Sequence, residues 1–165
     1  MVENVKLVAL SFLASTGFAV VFRTDRRLLL LSGLGGALTR IVYLILIQMV
    51  PNRLVYMLLA AMFASLYAEI MAILLKKPST IFLYPSIVPL IPGDLLYHTT
   101  VGLVLSETER VAANAPACLQ ALCGMAVGFV AISTIMYYVR MGRFYRLLTP
   151  VKKVGQMGRR IMRKQ

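Results

Sequence analysis

LVYMLLAAMFASLYAEIMAILL, residues 54–75, runs for 22 positions with a single charged residue, Glu69. As a helix rising ~1.5 Å per residue it would be ~33 Å long, enough to cross ~30 Å of hydrocarbon. Arg53 precedes it and Lys76-Lys77-Pro78 ends it, as polar flanks end a membrane span. Upstream lie two comparable runs, 5–22 and 28–50. The first is followed by Arg23-Thr24-Asp25-Arg26-Arg27 and the second by Pro51-Asn52-Arg53. Downstream lie 79–105 and 115–139, and then a basic tail. The reading is an all-α integral membrane protein with about five transmembrane helices. Its transmembrane domain is 1–139, and its cytoplasmic tail is 140–165.

The bulk numbers agree. Of 165 residues, 59% are hydrophobic, against ~45–50% in soluble domains, and the mean hydropathy is +0.79. The first run resembles a signal peptide in length. Its positive cluster follows the apolar stretch rather than preceding it, so it is expected to be retained as a helix. Trp is absent, which leaves Tyr and Phe to form any interfacial belt.

The net charge of +12 comes from 18 Lys and Arg against 6 Asp and Glu. In a soluble chain this would suggest nucleic acid. Here the charge lies in short loops and the tail, where it sets topology, and no nucleic-acid partner is expected. One side collects Arg23, Arg26, Arg27, Lys76, Lys77 and the nine basic residues of the tail; the other holds Lys6, Arg53 and Arg110. The positive-inside rule then puts the carboxyl terminus in the cytoplasm of a plasma-membrane protein and the amino terminus outside. In the tail, Leu147, Val151, Val154, Ile161 and Met162 approximate a helical stripe, with Pro150 suited to a first turn. The tail reads either as an amphipathic helix on the anionic inner leaflet or as a topogenic segment without fixed structure.

Arg40, Glu69, Asp94 and His98 lie inside apolar runs. An ionisable group near mid-bilayer costs roughly 2.5–3.5 kcal/mol on insertion scales, so such groups face a partner or a wet path. Counting residues puts Arg40 and Asp94 at similar depths and Glu69 nearer the inner surface. Arg40 and Asp94 are therefore the expected ion pair, serving either to hold the bundle together or to move a proton. Glu69 has a further reading, an interfacial residue reaching toward Lys76 or Lys77. His98 follows Asp94 by four residues, one face of a helix, and the two could relay protons near neutral pH.

The fourth run carries Pro85, Pro89, Pro92 and Gly93 and is expected to be broken. Backbone groups released by such a break must be buried in protein or line a cavity, and secondary transporters build their sites at broken helices. Gly93 is expected to supply a conformation that other residues avoid. Ser32, Gly33, Gly35, Gly36 and Ala37, with Gly124 and Gly128, mark close helix packing, either within this chain or against another subunit or copy. Cys118 and Cys123 fall on different helix faces and read as packing residues. With a single His, no metal site and no cofactor are expected. An intramembrane enzyme is unsupported, since there is no H-E-x-x-H and no nucleophile suitably spaced from His98.

Gly17-Phe18-Ala19-Val20-Val21-Phe22, the small-residue start of the second run with Arg40, and above all Pro89-Leu90-Ile91-Pro92-Gly93 with Tyr97 resemble the threonine/serine exporter family. The likeness is to its shorter, five-helix subunit and reaches to about Tyr138. It implies a secondary exporter of threonine and serine, driven by the proton motive force. The longer subunit of the same family is then the partner, and some split members handle small dicarboxylates. By the same resemblance Pro89, Pro92 and Gly93 carry over as the broken-helix element. Asp94 and His98 rest on the residue argument alone. The other class of function is a non-transporting membrane scaffold that stabilises a larger transport partner. A scaffold would tolerate loss of the intramembrane carboxylates, whereas a proton-coupled transporter would not.

Overall fold

A computed structural model describes the backbone of residues 2–162 and the side chains of residues 3–139. The helices are α1 (Val2–Val21), α2 (Leu29–Met49), α3 (Arg53–Leu75), α4 (Thr80–Ile87), α5 (Gly93–Val104) and α6 (Thr108–Met162). A 3-10 turn, Val88–Leu90, follows α4, and no strand occurs among the described residues. α1, α2, α3 and the 108–139 part of α6 are each long and apolar enough to cross a bilayer. α4 with its turn and α5 make a fifth, bent by 65°. The chain is an all-α, multi-pass membrane protein.

Two compact units divide the chain, Met1–Ile132 and Ser133–Gln165. In the second, backbone 133–162 is helical and the Tyr137 and Tyr138 rings meet edge to face at 5.9 Å. The stripe expected from Leu147 to Met162 lies outside the described side chains. Everything that follows concerns the first unit.

Three helices in this unit end in the same way. The amides of Thr24, Lys77 and Glu107 return to the carbonyls of Ala19, Ala72 and Gly102, and the residue before each amide is left-handed: Arg23 (φ 54), Lys76 (φ 52) and Ser106 (φ 57). This 6→1 closure satisfies carbonyls that lipid could not. It is usually made by glycine, and a side chain in that region costs ~1–2 kcal/mol. At Arg23 and Lys76 the cation also complements the negative end of the helix dipole. Lys77 bonds Asp25 at 3.1 Å, which brings the basic clusters 23–27 and 76–77 to one end of the bundle. Asn52 opens α3 at the other end, its side-chain oxygen accepting from the Leu54 amide at 3.0 Å.

Lipid provides no hydrophobic drive between helices, so the contacts depend on close approach. A methyl group on Gly33 would run into Thr16 of α1, one on Gly35 into Ser86 of α4 and Tyr67 of α3, and one on Gly36 into Ser15 of α1. Tyr67 also donates to the Leu31 carbonyl at 2.6 Å. Gly124 and Gly128 of α6 lie against the Leu54 and Leu58 carbonyls of α3. There Met57, Ala60, Ala61 and Ala64 pack with Leu90, Ala121 and Met125. Both small-residue sets therefore make contacts within this chain.

Two expectations need correction. The last span begins at Thr108, not 115. Polar side chains hold the added turns: Arg110 bonds Glu107 at 2.8 Å, and Asn114 donates to the Arg110 carbonyl at 2.9 Å. Hydropathy marks where lipid begins rather than where the helix does. Cys118 is buried as expected, but Cys123 is exposed and packs no core; both are free thiols.

Candidate functional site at the broken helix

Proline chemistry sets the geometry. Pro85 and Pro89 have no N–H, so the Ile81 and Pro85 carbonyls lose their helical donors. Gly93, which would serve Pro89, instead donates to Ile91 at 2.8 Å. Three carbonyls at 81, 85 and 89 are thus left on one face of the broken segment, and α2 meets them with the same four-residue period. Ser32 donates to the Ile81 carbonyl at 3.5 Å. Gly36 comes close to the Pro85 carbonyl, 3.4 Å from where its Cβ would stand. Arg40 Nη1 donates to the Pro89 carbonyl at 3.4 Å. Both bonds are long, so both are weak.

Arg40 also lies over the Tyr43 ring, 5.1 Å from its centre, and Tyr43 meets Tyr56 of α3 edge to face at 5.7 Å. Its Nε is buried without a hydrogen-bond partner, as are the hydroxyls of Ser15 and Thr39. Glu69 is buried on α3 in the stripe that holds Ser65, Ala68 and Ala72.

The bend separates these groups from the rest of the expected site. Ile91 (ψ 120) and Pro92 (ψ 63) leave the helical region, and α5 restarts at Gly93 with Asp94 in its first turn, where the helix dipole favours an anion. Asp94 Oδ1 lies 3.3 Å from His98 Nε2, and its side chain is 85% exposed. Tyr97 is exposed beside it, its ring 5.3 Å from the His98 ring. Gly102 is the single buried residue of α5, all of which is described.

Three site expectations therefore change or sharpen. Arg40 and Asp94 do not pair: the bend points Asp94 to His98 and leaves Arg40 with a backbone carbonyl. The Asp94–His98 juxtaposition is present. Gly93 has neither positive φ nor a neighbour within 4 Å of its Cβ position, so nothing in the structure requires glycine there. Ser15, Thr39 and Tyr43 went unremarked in the sequence, although the prolines at 85 and 89 do point to carbonyls 81 and 85 as needing partners.

A groove of about 800 Å³ between α1 and α2 is lined by apolar side chains such as Val8, Phe12, Ile41 and Ile45, with Asn4 and Gln48. Its described lining carries no charge and offers nothing to a charged solute.

Secondary transporters build their sites at broken membrane helices of this kind, and the family comparison points the same way. The family model described as Threonine/Serine exporter, ThrE, matches residues 7–135. The chain belongs to the threonine/serine exporter family. Its role is therefore of the exporter type, and it is a multi-pass membrane protein. No curated protein and no solved structure matches it. The match spans α1 to α5 and most of the apolar part of α6, so both halves of the exporter's broken segment fall within it.

Proposed function

We propose that this chain is the shorter subunit of a two-part secondary exporter of threonine and serine, driven by the proton motive force, and not an enzyme. The observation that carries this is the exposed Asp94–His98 pair directly after the break. From the cytoplasmic start of α4, eight α-helical and three 3-10 residues span ~18 Å, which puts the break beyond mid-bilayer. A carboxylate there cannot face lipid without cost. A proton can neutralise it in one state of the cycle, and the longer subunit can cover it in the assembly.

Charge supports an orientation with the carboxyl terminus inside, since the clusters joined by Lys77 and Asp25 are the basic ones. External protease removing a carboxyl-terminal tag from intact cells would reverse that orientation. The basic tail is then available to the anionic inner leaflet.

The test is threonine efflux from peptide-loaded cells carrying this chain with its longer partner, compared with cells lacking either. Efflux is expected only with both. Undiminished efflux without this chain would remove it from the transport machinery, as subunit and as scaffold alike.

A further inference from the structure

The geometry points to the Arg40–Pro89 contact as the seat of an α-amino acid's charged head, with carboxylate on the Arg40 guanidinium and ammonium on proline-released carbonyls. This deepens the exporter reading and rests on it. A guanidinium carries five donors, and its Nε edge matches the two oxygens of a carboxylate. At Arg40 the Nε donor is buried with no hydrogen-bond partner, and Nη1 holds the Pro89 carbonyl only at 3.4 Å. A carboxylate on the Nε edge would take Nε and Nη2 and leave Nη1 on the Pro89 oxygen, whose second lone pair stays open to an ammonium. The Pro85 oxygen lies one turn before it, beside Gly36, which has no side chain of its own to cover it.

A second, independent observation marks the same place. The hydroxyls of Ser15 and Thr39 are fully buried and lack hydrogen-bond partners. Ser15 Oγ is the atom nearest to where a Gly36 Cβ would stand, and Thr39 adjoins Arg40 in sequence. A buried hydroxyl left without a partner keeps its full desolvation cost. Ser15 thus stands where Gly36 approaches the Pro85 carbonyl, and both hydroxyls are polar groups that an entering solute could satisfy.

The donor set also chooses between substrate classes. One guanidinium beside two carbonyl oxygens that lack helical donors suits a zwitterion, because the carbonyls accept from an ammonium. A dicarboxylate would bring its second anion against those same oxygens. The group recognised is therefore the amino-acid backbone, not a pair of carboxylates.

The experiment uses proteoliposomes holding this chain and its longer partner, with two readouts: radiolabelled threonine counterflow and direct threonine binding. In the wild type, unlabelled serine is expected to compete. 3-Hydroxybutyrate, which lacks the ammonium, 1-amino-2-propanol, which lacks the carboxylate, and succinate are not. Arg40→Gln is expected to weaken threonine binding at least about thirtyfold, the loss expected when one partner of a buried charge pair is removed. Arg40→Lys should recover part of that loss, since it keeps the charge but not the fork. That partial recovery separates recognition from misfolding. Unchanged threonine affinity in Arg40→Gln, or competition by succinate equal to that by serine, would overturn the assignment. Wild-type binding with the expected competition but no counterflow would sink the exporter reading and leave the site standing. Neither binding nor counterflow would overturn both.

Discussion

Asp94→Asn is expected to reduce threonine efflux at least about tenfold, with the protein still inserted in the membrane. The substitution keeps the size of the side chain and removes only its titration. Asp94 lies at the amino end of α5 with its carboxylate mostly exposed and 3.3 Å from His98. No core packing depends on it, so folding should survive. Insertion should become slightly easier, because an ionised group in the bilayer costs roughly 2.5–3.5 kcal/mol. Loss of efflux with normal abundance would thus report a working carboxylate. Efflux equal to wild type would remove Asp94 from the mechanism. His98→Gln belongs to the same assay. A shifted pH profile would make the pair a relay, and an unchanged one would confine the role to Asp94.

Gly36→Ile is expected to abolish the folded bundle by a wholly different route. A Cβ on Gly36 would overlap Ser15, and the Pro85 backbone lies just beyond. Ser15 is fully buried on α1 and cannot turn away into lipid. Overpacking of this kind costs ~1–3 kcal/mol or more, and the helices here have little apolar drive to offset it. The measurement is yield and melting temperature in detergent, with Gly17→Ala as the control. No atom stands within 4 Å of the Gly17 Cβ position, so that variant should behave as wild type. A normal melting temperature for Gly36→Ile would show that α1 and α2 are not held as described.

Much of this architecture is legible in one dimension because lipid is an undiscriminating solvent. A run such as 54–75 has no alternative fate, and prolines at 85, 89 and 92 forbid a regular helix whatever surrounds them. Depth can likewise be counted along the chain, which is why Arg40 and Asp94 look like partners. Azimuth cannot be counted. Two non-helical ψ angles, at Ile91 and Pro92, turn α5 away, and Asp94 goes with it to His98. The same blindness made Gly93 look special when its backbone is ordinary, and placed the start of α6 seven residues late, past Glu109, Arg110 and Asn114. The match of 32, 36 and 40 to carbonyls 81, 85 and 89 needed two helices side by side. Only the demand for partners was visible in the sequence, not which helix would meet it.

The central proposal is that the longer subunit covers the exposed Asp94–His98 pair. Its most direct test is a photoreactive amino acid at Tyr97, which is exposed beside the Asp94–His98 pair, in cells expressing both chains. Irradiation is expected to join this chain to the longer subunit. Crosslinks to lipid alone, or to a second copy of this chain, would contradict the claim.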